Sequence, residues 1–150
     1  MKVSYDNDGK ILAVARDTEV LTGNVITVPD DEDLILHPGK YYVEVGTQTV
    51  VRRPYLEVTT PTPSVPADGT SEITITVERH LGTGELDTGA TDQITVQPVV
   101  GTITTPPVFT LTDGVGTFTI KSTVVGRRVI ICRSDAGAYR GSIAIDFTQP

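Results

Sequence analysis

The chain has 150 residues, 38% of them hydrophobic but only 5% aromatic, with no Trp and one cysteine. A net charge of −7 argues against nucleic acid as the main partner, because a phosphate binder needs a basic surface. The lone Cys132 excludes an intrachain disulfide and suits assembly in a reducing compartment, and the core must rest on Val, Ile and Leu. No run approaches the roughly 18 apolar residues of a membrane-spanning helix, and the first nine residues lack the apolar segment of a secretory signal, so neither membrane insertion nor classical export is expected.

Residues 2–5 and 11–15 flank Asp6-Asn7-Asp8-Gly9, which predicts a β-hairpin with a short Asp/Gly turn. Residues 21–28 form a third strand candidate ended by Pro29, residues 30–33 an acidic loop, and residues 34–36 a short apolar piece stopped at Pro38-Gly39. Residues 41–45 and 48–52 pair around Gly46-Thr47 as a second hairpin. No stretch has helical periodicity. Residues 1–54 thus read as a small β module. So small a unit buries little surface, and it is expected to lean on a partner or on the second domain.

Arg53-Pro54 and the Pro-rich run 60–66 bracket a strand at 55–59, and because proline cannot donate to a ladder this strand belongs at a sheet edge. The domain boundary is placed at about residue 54, with the second domain at 55–150. After the turn Ala67-Asp68-Gly69-Thr70, residues 72–79 alternate. Ile73, Ile75 and Val77 share one face, with Thr74, Thr76 and Glu78 on the other. Residues 81–90 read as a long loop, 92–100 as a strand with Ile94 and Val96 inward, 102–107 as a Pro/Thr-rich crossover and 108–112 as a strand. Asp113-Gly114 is a turn, Phe118 and Ile120 alternate with Thr117, Thr119 and Lys121, and Gly126 breaks the chain before a strand at 127–133. In residues 141–147, Ile143, Ile145 and Phe147 share a face. About seven short strands at this spacing predict an all-β fold, a two-sheet Greek-key β-sandwich preceded by the small N-terminal module.

Chemistry-bearing residues are sparse. His37 and His80 have no Cys or His nearby at metal-ligand spacing, which points to structural or solvated roles. Cys132 reads as a small core residue. Asp6-x-Asp8-Gly9 and residues 30–33 lack the spaced ligand set of an EF-hand loop and read as a turn and a solvated loop. No phosphate loop, nucleophile elbow or metalloprotease motif is present. No catalytic residue, metal or cofactor is therefore expected. Arg127, Arg128, Arg133 and Arg140 cluster late in the chain. Arg133 and Arg140 flank residues 134–139, with Tyr139 at the loop exit. Arg and Tyr are enriched in interface hot spots, so this is either a contact surface or a solvated rim.

Four segments carry a resemblance. Pro66-Ala67-Asp68-Gly69-Thr70 followed by Ile73-x-Ile75-x-Val77 resembles the opening of a bacterial immunoglobulin-like domain of the invasin/intimin type. Thr112-Asp113-Gly114-Val115-Gly116-Thr117-Phe118-Thr119-Ile120, Thr123-Val124-Val125-Gly126 and residues 142–147 resemble, in order, later segments of the same family. The likeness covers roughly residues 57–148 and departs from the family at 81–91. It implies an Ig-like sandwich used for adhesion or as a spacer, without catalysis.

The resemblance also implies which way the strand at 127–133 faces: Ile130 and Cys132 inward, Val129 and Ile131 outward. That strand is apolar on both faces, whereas the outer faces of the others are mostly Thr, Ser, Lys or Glu. A strand that does not alternate is usually covered, so Val129 and Ile131 either carry the N-terminal module or another subunit, or are two ordinary surface apolars. Val129, Ile131, Arg133, Tyr139 and Arg140 are the candidate interface. Without an export signal, the chain also resembles tailed-bacteriophage virion proteins that carry such Ig-like domains. On that expectation it is a capsid-decoration or tail protein assembled in the host cytoplasm. Residues 1–54 would anchor it to major capsid or tail proteins, a homo-oligomer would be natural, and the exposed domain would touch host glycans. The alternative is a bacterial cell-surface adhesion or spacer module that binds glycans or proteins.

Overall fold

The structure, a computed structural model describing residues 1–16, 19–103 and 107–150, divides the chain into two units, Met1–Arg53 and Pro54–Pro150. In the first, β1 (Lys2–Tyr5) pairs antiparallel with both β2 (Ile11–Ala15) and β3 (Asn24–Thr27). The Asp6 carboxylate closes the β1–β2 turn by accepting from the backbone N–H groups of Asp8 and Lys10 at 3.0 and 2.9 Å. A hairpin of β4 (Tyr41–Glu44) and β5 (Thr49–Arg52) completes the unit. Val3, Tyr5, Ile26, Leu34 and Val43 are buried together. Gly9 joins the two hairpins: its carbonyl accepts from the Val43 N–H at 2.8 Å. Its φ is +80°, and a Cβ there would lie 2.0 Å from the Val43 carbonyl oxygen.

Two expectations change here. The third strand is shorter than residues 21–28, and the second half of the acidic loop, with the apolar piece after it, is helical. Asp31 caps a short helix, α1 (Glu32–Leu36), by accepting from the Leu34 N–H at 3.2 Å. Glu32 and Asp33 occupy its first turn, where carboxylates complement the helix dipole. One and a half turns are too short to display a 3.6-residue period, which is why the apolar pattern concealed the helix. Asp33 also accepts from Lys40 Nζ at 2.9 Å and from the Tyr41 hydroxyl at 2.7 Å. These bonds, Lys40 first, hold its carboxyl below the usual range. Burial, and then the bond to Asp33, push the Tyr41 phenol up to about 12.

The second unit is a two-layer sandwich. One sheet has the order β11 (Val115–Ile120), β8 (Ile73–His80), β6 (Tyr55–Thr59). The other runs β10 (Val108–Thr110), β9 (Gln93–Val100), β12 (Gly126–Ser134), β13 (Gly141–Thr148), β7 (Ser64–Pro66). The chain changes sheet between β6 and β7, β7 and β8, β8 and β9, β10 and β11, and β11 and β12, in the Ig-like Greek-key arrangement. β6 is an edge strand, as its flanking prolines require. Residues 104–106 of the expected crossover lie outside the described residues. The alternating positions face each other across the layers: Ile73, Ile75, Val77, Ile94, Val96, Ile130, Cys132 and Ile145 are fully buried, and Phe118, Ile120 and Phe147 nearly so. Burial pushes the Cys132 thiol up to about 12, which leaves it an inert core residue.

β7 is the strand the sequence concealed. Ser64-Val65-Pro66 pairs in parallel with Asp146-Phe147-Thr148, so the Pro-rich run moves the chain from the edge of one sheet to the edge of the other. The Ala67-Asp68-Gly69-Thr70 turn follows directly. Asp68 Oδ1 accepts from the N–H groups of Thr70 and Ser71 at 2.8 and 2.6 Å, and Oδ2 accepts from the Ser71 hydroxyl at 2.7 Å. The bonds from Ser71, then Thr70, hold this carboxyl far below the usual range. At Asp113-Gly114 both residues have positive φ, +51° and +80°, which is the mirror-image turn that suits a tight hairpin.

Candidate interaction surface

β12 is flanked on both sides, and its register decides what lies outside. Val129 stands opposite Val100 of β9 and Ala144 of β13, and Ile131 stands opposite Gln97 and Ser142. Val129 and Ile131 are half-buried, and Val100 is 48% exposed. Alternation therefore puts Val100, Val129, Ala144 and Ile131 on one outer face, across three neighbouring strands. The bulge between Val129 and Ile130 adds Val99, 49% exposed, beside them. Arg133 ends the row on β12, with Nε donating to Gln97 Oε1 at 3.3 Å. The outer face of the other sheet differs in kind. Thr117 stands opposite Thr76, Thr119 opposite Thr74, and Glu57 opposite Glu78.

The structure thus brings Val129, Ile131 and Arg133 together and places Tyr139 and Arg140 elsewhere. Tyr139 sits at the exit of its loop, as expected, but is tied down there. Its N–H donates to Pro54 O at 2.7 Å and its carbonyl accepts from Leu56 N–H at 2.9 Å, so it lies in a bridge beside β6. Arg140 is exposed next to it. Arg128 leaves the arginine cluster altogether. It is 5% exposed, donates to the carbonyls of Thr102, Arg127 and Val124, and lies 5.8 Å from the Phe147 ring centroid. It faces inward at the end of β12, where backbone carbonyls satisfy its charge.

Beneath the loop at 81–91, Arg79 Nη1 donates to Asp92 Oδ1 at 2.6 Å, with the two side chains 16% and 3% exposed. The Ser134 hydroxyl donates to Asp92 Oδ2, and Arg79 Nε lies 3.6 Å from Asp87. This network ties β8, β9 and β12 at one end of the sandwich and serves structure. In the N-terminal unit, an open cleft of about 710 Å³ is lined by Val28, Leu34, Tyr41 and Val50 with Asp30, Asp31 and Glu32 at its margin.

Sequence spacing missed one grouping. His80, read as lacking metal-ligand neighbours, lies 3.1 Å from Glu57 Oε2 and 2.9 Å from Glu78 Oε2. The signal was the pairing of two outward carboxylates across β6 and β8, and that exists only once the register is known.

No protein-family model matches the sequence, and no curated protein matches it. Solved structures do. The D00-D0 domain of intimin matches over 68% of this chain and 50% of its own, with 24% identity and a TM-score of 0.53. The D0-D1 domain of intimin matches over 65% and 49%, with 18% identity and a TM-score of 0.52. A glycosyl hydrolase family 2 member from Bacteroides cellulosilyticus matches over 68% of this chain but only 16% of its own, with 14% identity and a TM-score of 0.56. The chain therefore spans about half the length of the intimin fragments and a small part of the hydrolase. What it shares with all three is a fold: an all-β, Ig-like sandwich of the kind found in intimin.

Proposed function

We propose that the chain is a non-enzymatic adhesion or spacer module of a bacterial surface protein. Its contact face is the outer side of the five-stranded sheet, around Val129 and Ile131. The observation that carries this reading is the contrast between the two outer faces, one with Val100, Val129, Ala144 and Ile131 side by side, the other built of threonines and acids. Grouped exposed apolar residues mark protein contact sites more often than scattered ones do. Arg133 at the end of the row adds a residue type favoured at such sites.

The intimin likeness supports an adhesion or spacer role over a particle-bound one, and the virion expectation, with its capsid or tail partners, rests on the sequence alone. The test is binding of the full chain, fluorescently labelled, to intact bacterial and epithelial cells and, in parallel, to purified tailed-phage particles. Saturable binding to cells is expected. Binding to particles alone would reject the surface-module reading and restore the virion one.

A further inference from the structure

We propose that Glu57, Glu78 and His80 form a binding site for a divalent transition metal of the zinc class on the outer face of the three-stranded sheet. The β6–β8 register sets Glu57 directly opposite Glu78 and Tyr55 opposite His80, and Glu78 and His80, two residues apart, point to the same side. Like charges directly opposite destabilise a strand pair. Here both carboxylates also reach one atom: His80 Nε2 is 3.1 Å from Glu57 Oε2 and 2.9 Å from Glu78 Oε2.

The other ring nitrogen decides what that atom is. His80 Nδ1 lies 2.9 Å from the Gly84 carbonyl oxygen. A carbonyl only accepts, so Nδ1 carries a proton and, in the neutral ring, Nε2 presents a lone pair. With the ring neutral, three electron-pair donors converge, and either a proton on Nε2 shared with the carboxylates or a metal cation between them resolves the arrangement. The Tyr55 ring stacks on the imidazole, with centroids 5.4 Å apart and planes at 16°, and holds its orientation. A metal-bound histidine whose second nitrogen donates to a carbonyl is the usual outer-shell arrangement.

Size and ligand type select the metal. Tetrahedral zinc with ligands at about 2.0–2.1 Å sets its donor atoms roughly 3.3 Å apart. The two distances from His80 Nε2, 3.1 and 2.9 Å, lie within a few tenths of an ångström of that spacing, and all three ligand atoms fall within 4.8 Å of one another, so a side-chain adjustment of up to about 1.5 Å closes the site. Calcium and magnesium prefer all-oxygen shells, whereas imidazole suits zinc and its neighbours. The Glu57 and Glu78 side chains are 52% and 37% exposed, which leaves the fourth position open to water or to a donor from another molecule. The metal would also staple the edge strand β6 to β8. The inference is independent of the contact face on the opposite sheet.

The experiment is calorimetric titration of the full chain, stripped with chelator, with zinc chloride at pH 7.5. Calcium chloride and the His80→Ala, Glu78→Gln and Glu57→Gln variants run in parallel. One equivalent of zinc is expected, with affinity at least tenfold weaker in each variant, and zinc should raise the Tm of the parent chain only. Nitrogen NMR should show the His80 Nε2 resonance move on zinc addition while Nδ1 keeps its proton. No zinc uptake would mean that a proton alone fills the gap and would overturn the proposal. So would uptake unchanged in all three variants, or a preference for calcium.

Discussion

At Asp68 a fully exposed carboxylate is held ionised by the turn it closes, through two backbone N–H groups and the Ser71 hydroxyl. Its pKa in the folded state lies below the unfolded value of about 3.9, so its contribution to stability is fully present above that value. The contribution is lost as pH falls through the folded pKa. Urea unfolding between pH 2 and 7 should therefore show a shallower acid dependence for Asp68→Asn than for the parent, with the larger difference at neutral pH; coincident curves would contradict this. Asp92 illustrates the buried case. Asp92→Ala removes the hydrogen-bonded partner of Arg79, leaving Asp87 at 3.6 Å as its remaining carboxylate, and should cost about 1–3 kcal/mol, read as a lowered urea midpoint. These two residues also mark the limit of reading single positions. The Asp68-Gly69 turn is legible because its hydrogen bonds are local in sequence. The Arg79–Asp92 pair and the inward Arg128 are not, because their partners are set by the fold.

Among the elements, those with period-2 alternation were legible: Ile73, Ile75 and Val77, Ile94 and Val96, Phe118 and Ile120, and Ile145 and Phe147 are all buried. Burial alone generates that pattern, so the sequence carries it. The elements that escaped are short. α1 spans barely more than a turn, and β7 is three residues ending in proline, stabilised by parallel pairing to a strand some 80 residues later. The Glu57–Glu78–His80 grouping escaped for the same reason, since it depends on register across two strands rather than on spacing within one. Gly9 tests how the N-terminal elements are joined. Gly9→Ala forces a Cβ against the Val43 carbonyl at positive φ, a strain of about 1–3 kcal/mol from the backbone alone, and should loosen both hairpins. Hydrogen exchange should quicken at the Val43 amide; unchanged protection would show that the hairpins are held otherwise.

For the whole molecule, the sandwich presents two outer faces that differ in kind around a core in which the Cys132 thiol is buried and Arg79 pairs with Asp92. The charge is uneven along the chain, −7 over residues 55–114 and +3 over residues 115–150, but strands of the two segments interleave in both sheets. The most direct measurement compares two double variants of the full chain, each checked for native circular dichroism, in the cell-binding assay. Val129→Asp with Ile131→Asp charges the apolar face, and Thr74→Asp with Thr117→Asp charges the polar one. The account predicts at least a tenfold loss of binding for the first pair and little change for the second. Equal binding by both, or a loss confined to the threonine pair, would contradict it.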